Sequence, residues 1–92
     1  MTGLDPSSKP KLPRGVRLRE DKVRSRWILL GPERIFEIDG IGVEILSRCK
    51  GLATIDEISR ELAAAFEAPL EQVAPDVQAF IADFAQKRII DL

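Results

Sequence analysis

The run from Trp27 to Asp39, WILLGPERIFEID, constrains this chain more than any other stretch. It reads as two strands joined by a Gly31–Pro32 turn and closed by an Asp39 helix cap. In the strand Arg26–Leu30, Trp27 and Leu29 share one face while Ile28 and Leu30 share the other. Apolar residues on both faces mark a central strand. Arg34–Ile38 is its neighbour, with Phe36 and Ile38 on one face and Ile35 and Glu37 on the other. Upstream, Arg14–Glu20 alternates, with Val16 and Leu18 facing one way and Arg17 and Arg19 the other. Asp21–Lys22 begins the connection between the first two strands. A short pairing at Ile89–Ile90 is the only other strand signal.

Helices follow the third strand. Asp39 is placed to accept from free amides of a first helical turn. Ile41, Ile45, Leu46 and Cys49 recur at helical spacing, and Gly51 suits a left-handed ending. Thr54-x-x-Glu57 is a capping box that opens a second helix, with Ile55, Ile58, Leu62, Ala63 and Phe66 on its apolar face. Ala68–Pro69 breaks it. A third stripe runs through Val73, Val77, Phe80, Ile81, Phe84 and Arg88. Proline is tolerated only in a first turn, so the regular helix is expected to begin close before Pro75, with residues 70–73 as its entry turn. Three strands leave a bare sheet face that the helices must cover. The expected fold is α+β: a three-stranded antiparallel sheet followed by a three-helix bundle, resembling a winged helix-turn-helix. Residues 1–13 hold Pro6, Pro10 and Pro13 and read as an extended tail without a core of its own, which a neighbouring chain could hold down. Residues 14–92 form one domain.

The composition narrows function. The chain has 92 residues, 45% hydrophobic and 32% charged, as in an ordinary soluble domain. No apolar run reaches the roughly 18 residues of a membrane span. The N-terminal residues are too polar for a signal peptide, so the cytoplasm is the expected compartment. There is no histidine and no tyrosine, which removes the usual general base and the commonest metal ligand. The single cysteine, Cys49, can form neither an internal disulfide nor a metal site and reads as a small buried residue. No catalytic residues, metal or cofactor are expected, and an enzyme is disfavoured. Residues 1–48 hold ten Lys and Arg against seven Asp and Glu; residues 49–92 hold four against eight. A basic front joined to an acidic helical half is either ordinary solvated surface or a means of attraction to a charged partner or a second copy. Winged helices often bind DNA, but the second helix carries Asp56, Glu57, Glu61 and Glu67 against Arg60, and the third carries Glu71, Asp76 and Asp83 against Lys87 and Arg88. Both are poorly suited to phosphates, so no nucleic acid is expected.

Strand addition suits what remains. A third strand at the sheet edge can accept a guest strand through free amides and carbonyls. Its residues are Arg34, Ile35, Phe36, Glu37 and Ile38. Pockets would lie against the third helix, with Val77, Phe80, Ile81 and Phe84 as an apolar floor and Asp76, Asp83 and Lys87 as a rim. Phe36, Val77, Phe80 and Ile81 read more readily as core, since an apolar stripe at helical spacing usually is, though a residue at a groove floor can do both jobs. Trp27 reads as core if buried and as an interface anchor if exposed. Glu33–Arg34 is either a solvated turn pair or a means of orienting a charged guest.

The run WILLGPER, followed by Asp39, Ile45–Leu46, Cys49, Gly51, Thr54, Ile58, Leu62–Ala63, Val73 and Asp76–Val77, resembles the PqqD family of pyrroloquinoline quinone biosynthesis. The resemblance covers about Arg14 to Leu92. Two positions depart from it: Lys50, where an acidic residue is common, and Arg88, where a glycine is common. The resemblance implies a leader-recognition module, a RiPP recognition element. Such a module binds the precursor peptide PqqA and presents it to PqqE, a radical S-adenosylmethionine enzyme that crosslinks a glutamate to a tyrosine in the peptide. It also implies that the leader adds alongside the third strand, in the groove beside the third helix, and that the cofactors belong to the enzyme. A structural homodimer or assembly subunit is the alternative function, and DNA binding a lesser one.

Overall fold

A computed structural model describes residues 4–92. The sheet consists of β1 (Arg17–Asp21), β2 (Arg26–Gly31) and β3 (Arg34–Ile38); the helices are α1 (Gly40–Ser47), α2 (Ile55–Ala65) and α3 (Leu70–Gln86). The strands run antiparallel in the order β1-β2-β3. Leu18 and Phe36 both pair with Leu29, and Ile38 pairs with Trp27, so these residues share the inner face. Leu29 is fully buried, while Trp27 is half-buried against the core. Ile28, Leu30, Ile35 and Glu37 take the outer face, as the alternation requires.

β1 begins three residues later than the alternation predicts. Val16 N–H donates to the Pro13 carbonyl at 3.1 Å, and Gly15 adopts φ +90°, so a turn occupies the expected start. Pro32 and Glu33 connect β2 to β3, and Glu33 takes φ +60°. A proline followed by a positive φ is the pattern of a type II turn.

Ile45, Leu46, Ile55, Ile58, Leu62, Val77 and Ile81 are nearly solvent-free and form one cluster with Leu29, Ile89 and Ile90. Burying each such side chain is worth about 1.5–3 kcal/mol. Phe66, expected on the apolar face of α2, is instead half-exposed, because it lies one residue past the helix as its C-cap. The capping box is complete: Glu57 N–H donates to Thr54 Oγ1 at 3.0 Å, and Thr54 N–H donates to Glu57 Oε1 at 2.8 Å.

Two helix ends correct the sequence expectation. α1 stops at Ser47 rather than at Lys50–Gly51. The incoming N-terminal segment claims the next residues: Leu12 N–H donates to the Cys49 carbonyl, and Gly51 N–H to the Pro10 carbonyl. Gly51 does adopt a left-handed φ of +77°. α3 begins at Leu70, so Pro75 lies inside it. Proline here removes only the amide bond to the Glu71 carbonyl. The first turn survives because Gln72 and Val73 N–H groups both donate to the Pro69 carbonyl and Val73 packs against the core.

The N-terminal segment is held by its own domain. Pro10 is buried, and Leu4 and Leu12 pack against the core. Lys11 bridges Lys50 on one side and Asp91 on the other. The Ser8 and Pro6 carbonyls accept from Ile55 and Asp56 N–H at 2.9 and 3.0 Å, satisfying two free amides at the start of α2. Residues 1–3 of the expected tail lie outside the described residues.

Candidate functional site

β3 pairs with β2 alone among the described residues, so its other edge is open. Gly31 and Arg34 close the two-residue connection as a pair. A tight turn closes on a hydrogen-bonded pair, and bonding then alternates along the ladder. Arg34, Phe36 and Ile38 therefore bond back to β2. Ile35 and Glu37 turn their amides and carbonyls outward.

Beside that edge is a groove of about 510 Å³ lined by Glu37, Ile38, Asp39, Ile41, Phe80, Asp83 and Phe84. Ile38, Ile41, Phe80 and Phe84 supply its apolar surface. Phe80 and Phe84 lie 5.0 Å apart, and Phe36 meets Phe84 edge-on at 5.2 Å. Such ring pairs hold one another beyond simple area burial. α1 approaches closely enough to form one wall because residue 42 has no side chain. A Cβ there would stand 2.7 Å from Ile38 Cγ2 and 2.9 Å from Phe80 Cε2. Asp39 anchors the same corner, its Oδ1 accepting from Gly42 N–H at 2.9 Å.

The sequence-derived candidates do not all meet at one place. Glu37, Ile38, Phe80 and Phe84 meet in the groove, with Asp83 from the expected rim. Arg34, Ile35 and Phe36 lie on the open strand. The Arg34 guanidinium lies 4.9 Å from the Phe36 ring centre, and Ile35 is 68% exposed on the outer face. Val77 and Ile81 are core residues, at 1% and 0% exposure, and do not reach the groove. Asp76 is exposed and stands outside the lining. Lys87 is engaged with Asp83 at 2.6 Å. On α3 the residues one turn apart, Phe80 and Phe84, point into the groove, while Val77 and Ile81 point into the core.

Asp39 and Ile41 line the groove although the sequence marked them only as a cap and a core residue. Ile41 shares helical phase with Ile45, yet it is 42% exposed where Ile45 is 1%. It sits in the first turn of α1, which overhangs the end of the core. The neighbouring Gly42 was the available signal of close backbone approach.

Chemistry is limited here. Burial pushes the Cys49 thiol up to about 12, and its Sγ donates to the Ile45 carbonyl at 3.3 Å. A thiol held protonated is a poor nucleophile. No group of three metal-ligating side chains occurs among the described residues.

Fold and site together define a class: small three-strand, three-helix domains whose last strand stays open beside an apolar groove. Residues 26–90 match the family model described as Coenzyme PQQ synthesis protein D (PqqD). The chain is 39% identical over 92 residues to a PqqA binding protein of Xanthomonas axonopodis pv. citri, covering 100% of both chains. It is 41% identical over 86 residues to a PqqA binding protein of Rhizobium meliloti, covering 94% of this chain and 88% of the other. The solution NMR structure of the PqqD truncation of Methylobacterium extorquens PqqCD superposes with a TM-score of 0.84 at 37% identity, covering 99% of this chain and 97% of that one. That protein is described as a functional, stand-alone RiPP recognition element. The crystal structure of PqqD from Xanthomonas campestris gives a TM-score of 0.63 at 36% identity, covering 97% and 99%. The chain belongs to the PqqD family.

Proposed function

We propose that this protein binds the ribosomally made precursor peptide PqqA as a fourth strand along β3 and presents it to the radical S-adenosylmethionine enzyme PqqE. Its role is recognition rather than catalysis, and its place of action is the cytoplasm. The observation that supports this most is the open edge of β3 beside an apolar groove, in a chain whose relatives are named for binding PqqA. No helix among the described residues is long and apolar enough to cross a membrane.

The energetics favour a division of labour. Ordering a flexible peptide costs about 2–5 kcal/mol or more. Each backbone hydrogen bond returns about 0.5–1.5 kcal/mol net. Ile35 and Glu37 together offer about four such bonds, enough to offset ordering. Micromolar affinity needs about −8 kcal/mol. The surplus must come from apolar side chains of the peptide entering the groove against Ile38, Ile41, Phe80 and Phe84.

Titration calorimetry with synthetic PqqA is the test. One-to-one binding at micromolar or tighter affinity is expected, with Phe80→Ala weakening it about tenfold. PqqE should modify the peptide faster when this protein is present. An absence of heat and of backbone NMR shifts on adding PqqA would refute the reading.

A further inference from the structure

Charge is arranged unevenly along the groove. At the β3 start, Arg34 lies over the Phe36 ring and forms no ion pair among the described residues. Lys87 lies 5.4 Å from the Phe84 centre, but its ammonium is paired with Asp83 at 2.6 Å and adds no net charge to this end. A Cβ at Gly31 would stand 3.1 Å from Ile89 Cδ1, so the residues after α3 pass beside the β2–β3 connection. Glu33 in the turn is the one carboxylate beside Arg34 in sequence.

At the β3 finish the sign reverses. Glu37, Asp39 and Asp83 all line the groove. Asp83 is neutralised by Lys87, so the negative sign rests on Glu37 and Asp39. Glu37 lies 3.8 Å from Arg26 and keeps 68% of its side chain exposed. Asp39 has no cation partner among the described residues and gives one oxygen to Gly42 N–H. The five residue steps from Arg34 to Asp39 span about 17 Å. That is about twice the screening length of ~8 Å at physiological salt, so each end responds to the charges nearest it.

We propose that this polarity selects the direction of the bound strand and the charge order of the segment recognised. The proposal rests on strand addition along β3. A guest running antiparallel to β3 continues the sheet's own pattern. It enters at the Glu37–Asp39 end and leaves at the Arg34 end. The segment recognised therefore carries Lys or Arg toward its N-terminus, alternating apolar residues in the middle, and Asp or Glu toward its C-terminus.

Two synthetic ten-residue peptides test this. Both share an alternating valine–threonine centre; one has two lysines first and two glutamates last, and its twin has the charges exchanged. Fluorescence anisotropy at low and physiological salt should show the lysine-first peptide binding about tenfold more tightly, with the gap narrowing as salt rises. The exposed-edge double variant R34E/E37K should reverse the preference, with its melting curve confirming that it is folded. Equal binding of the twins to the wild-type protein, with both lost in Phe80→Ala, would overturn the charge selection and leave strand addition standing. Binding by neither twin would also overturn it, since these charges and the apolar floor are then insufficient. Strand addition itself is judged separately, by the PqqA titration.

Discussion

Arg88 occupies a backbone conformation that favours glycine. It has φ +62°, immediately after the α3 C-cap Lys87. Its N–H donates to the Ala85 carbonyl at 3.0 Å, and Ile89 N–H donates to the Phe84 carbonyl at 2.8 Å. Those two bonds, with Ile89 and Phe84 both buried, make a complete Schellman ending. Glu67 repeats the device after α2, at φ +52°, with Ala68 N–H donating to the Ala63 carbonyl at 2.9 Å. The left-handed conformation costs an ordinary residue about 1–2 kcal/mol. Glycine recovers this but loses about 0.4–1 kcal/mol through its freer unfolded chain. Arg88→Gly should therefore stabilise the domain by about 0.5–1 kcal/mol in urea titrations. A second residue-level prediction concerns Cys49. Its thiol titrates ordinarily near 9.0 and in the fold near 12. Between those values the unfolded chain has lost the proton that the native state keeps, so stability falls as pH rises. The slope from this group is about 1.4 kcal/mol per pH unit. The difference in denaturant midpoint between the wild type and Cys49→Ala should be flat below pH 9 and then move against the wild type. A difference that stays flat to pH 11 would contradict the burial of that thiol.

Among the elements, α1 determines the shape of the site more than its eight residues suggest. Gly42 lets it stand against β3 and α3, and a methyl there meets two side chains below 3.0 Å. Gly42→Ala should cost about 1–3 kcal/mol, as overpacking does. It should also shift the NMR signals of Ile38 and Phe80, which a purely local helix effect would leave in place. β2, β3 and the starts of α1 and α2 were legible in the sequence because their signals are local: alternation in β2, the Asp39 cap, the Thr54–Glu57 box. The end of α1 and the start of α3 were not, because distant residues decide them. Pro10 and Leu12 draw residues 49–51 out of the helix, and core packing of Val73 carries α3 past Pro75. Helical spacing likewise placed Val77, Phe80, Ile81 and Phe84 on one stripe. It could not say that the stripe is shared between core and groove, since that depends on where β3 and α1 meet it.

At the scale of the whole molecule, the N-terminal segment belongs to the folded unit. It buries Pro10, pairs through Lys11 with Lys50 and Asp91, and caps α2 through Ser8 and Pro6. Each cap is worth about 1 kcal/mol. Deleting residues 1–10 should therefore lower stability by about 2–4 kcal/mol in urea titrations, since the apolar contacts of Leu4 and Pro10 are lost as well. None of its described residues lines the groove, so the truncated protein, where still folded, should retain most of its peptide affinity. The open strand remains the feature on which the functional account rests. Proline deletes a single amide, so its position along β3 reports directly on where a guest pairs. The decisive measurement is calorimetry of PqqA against Ile35→Pro and Glu37→Pro, whose amides face outward, with circular dichroism to confirm that each variant is folded. Strand addition predicts at least a tenfold loss of affinity in both; wild-type affinity in both folded variants would contradict it.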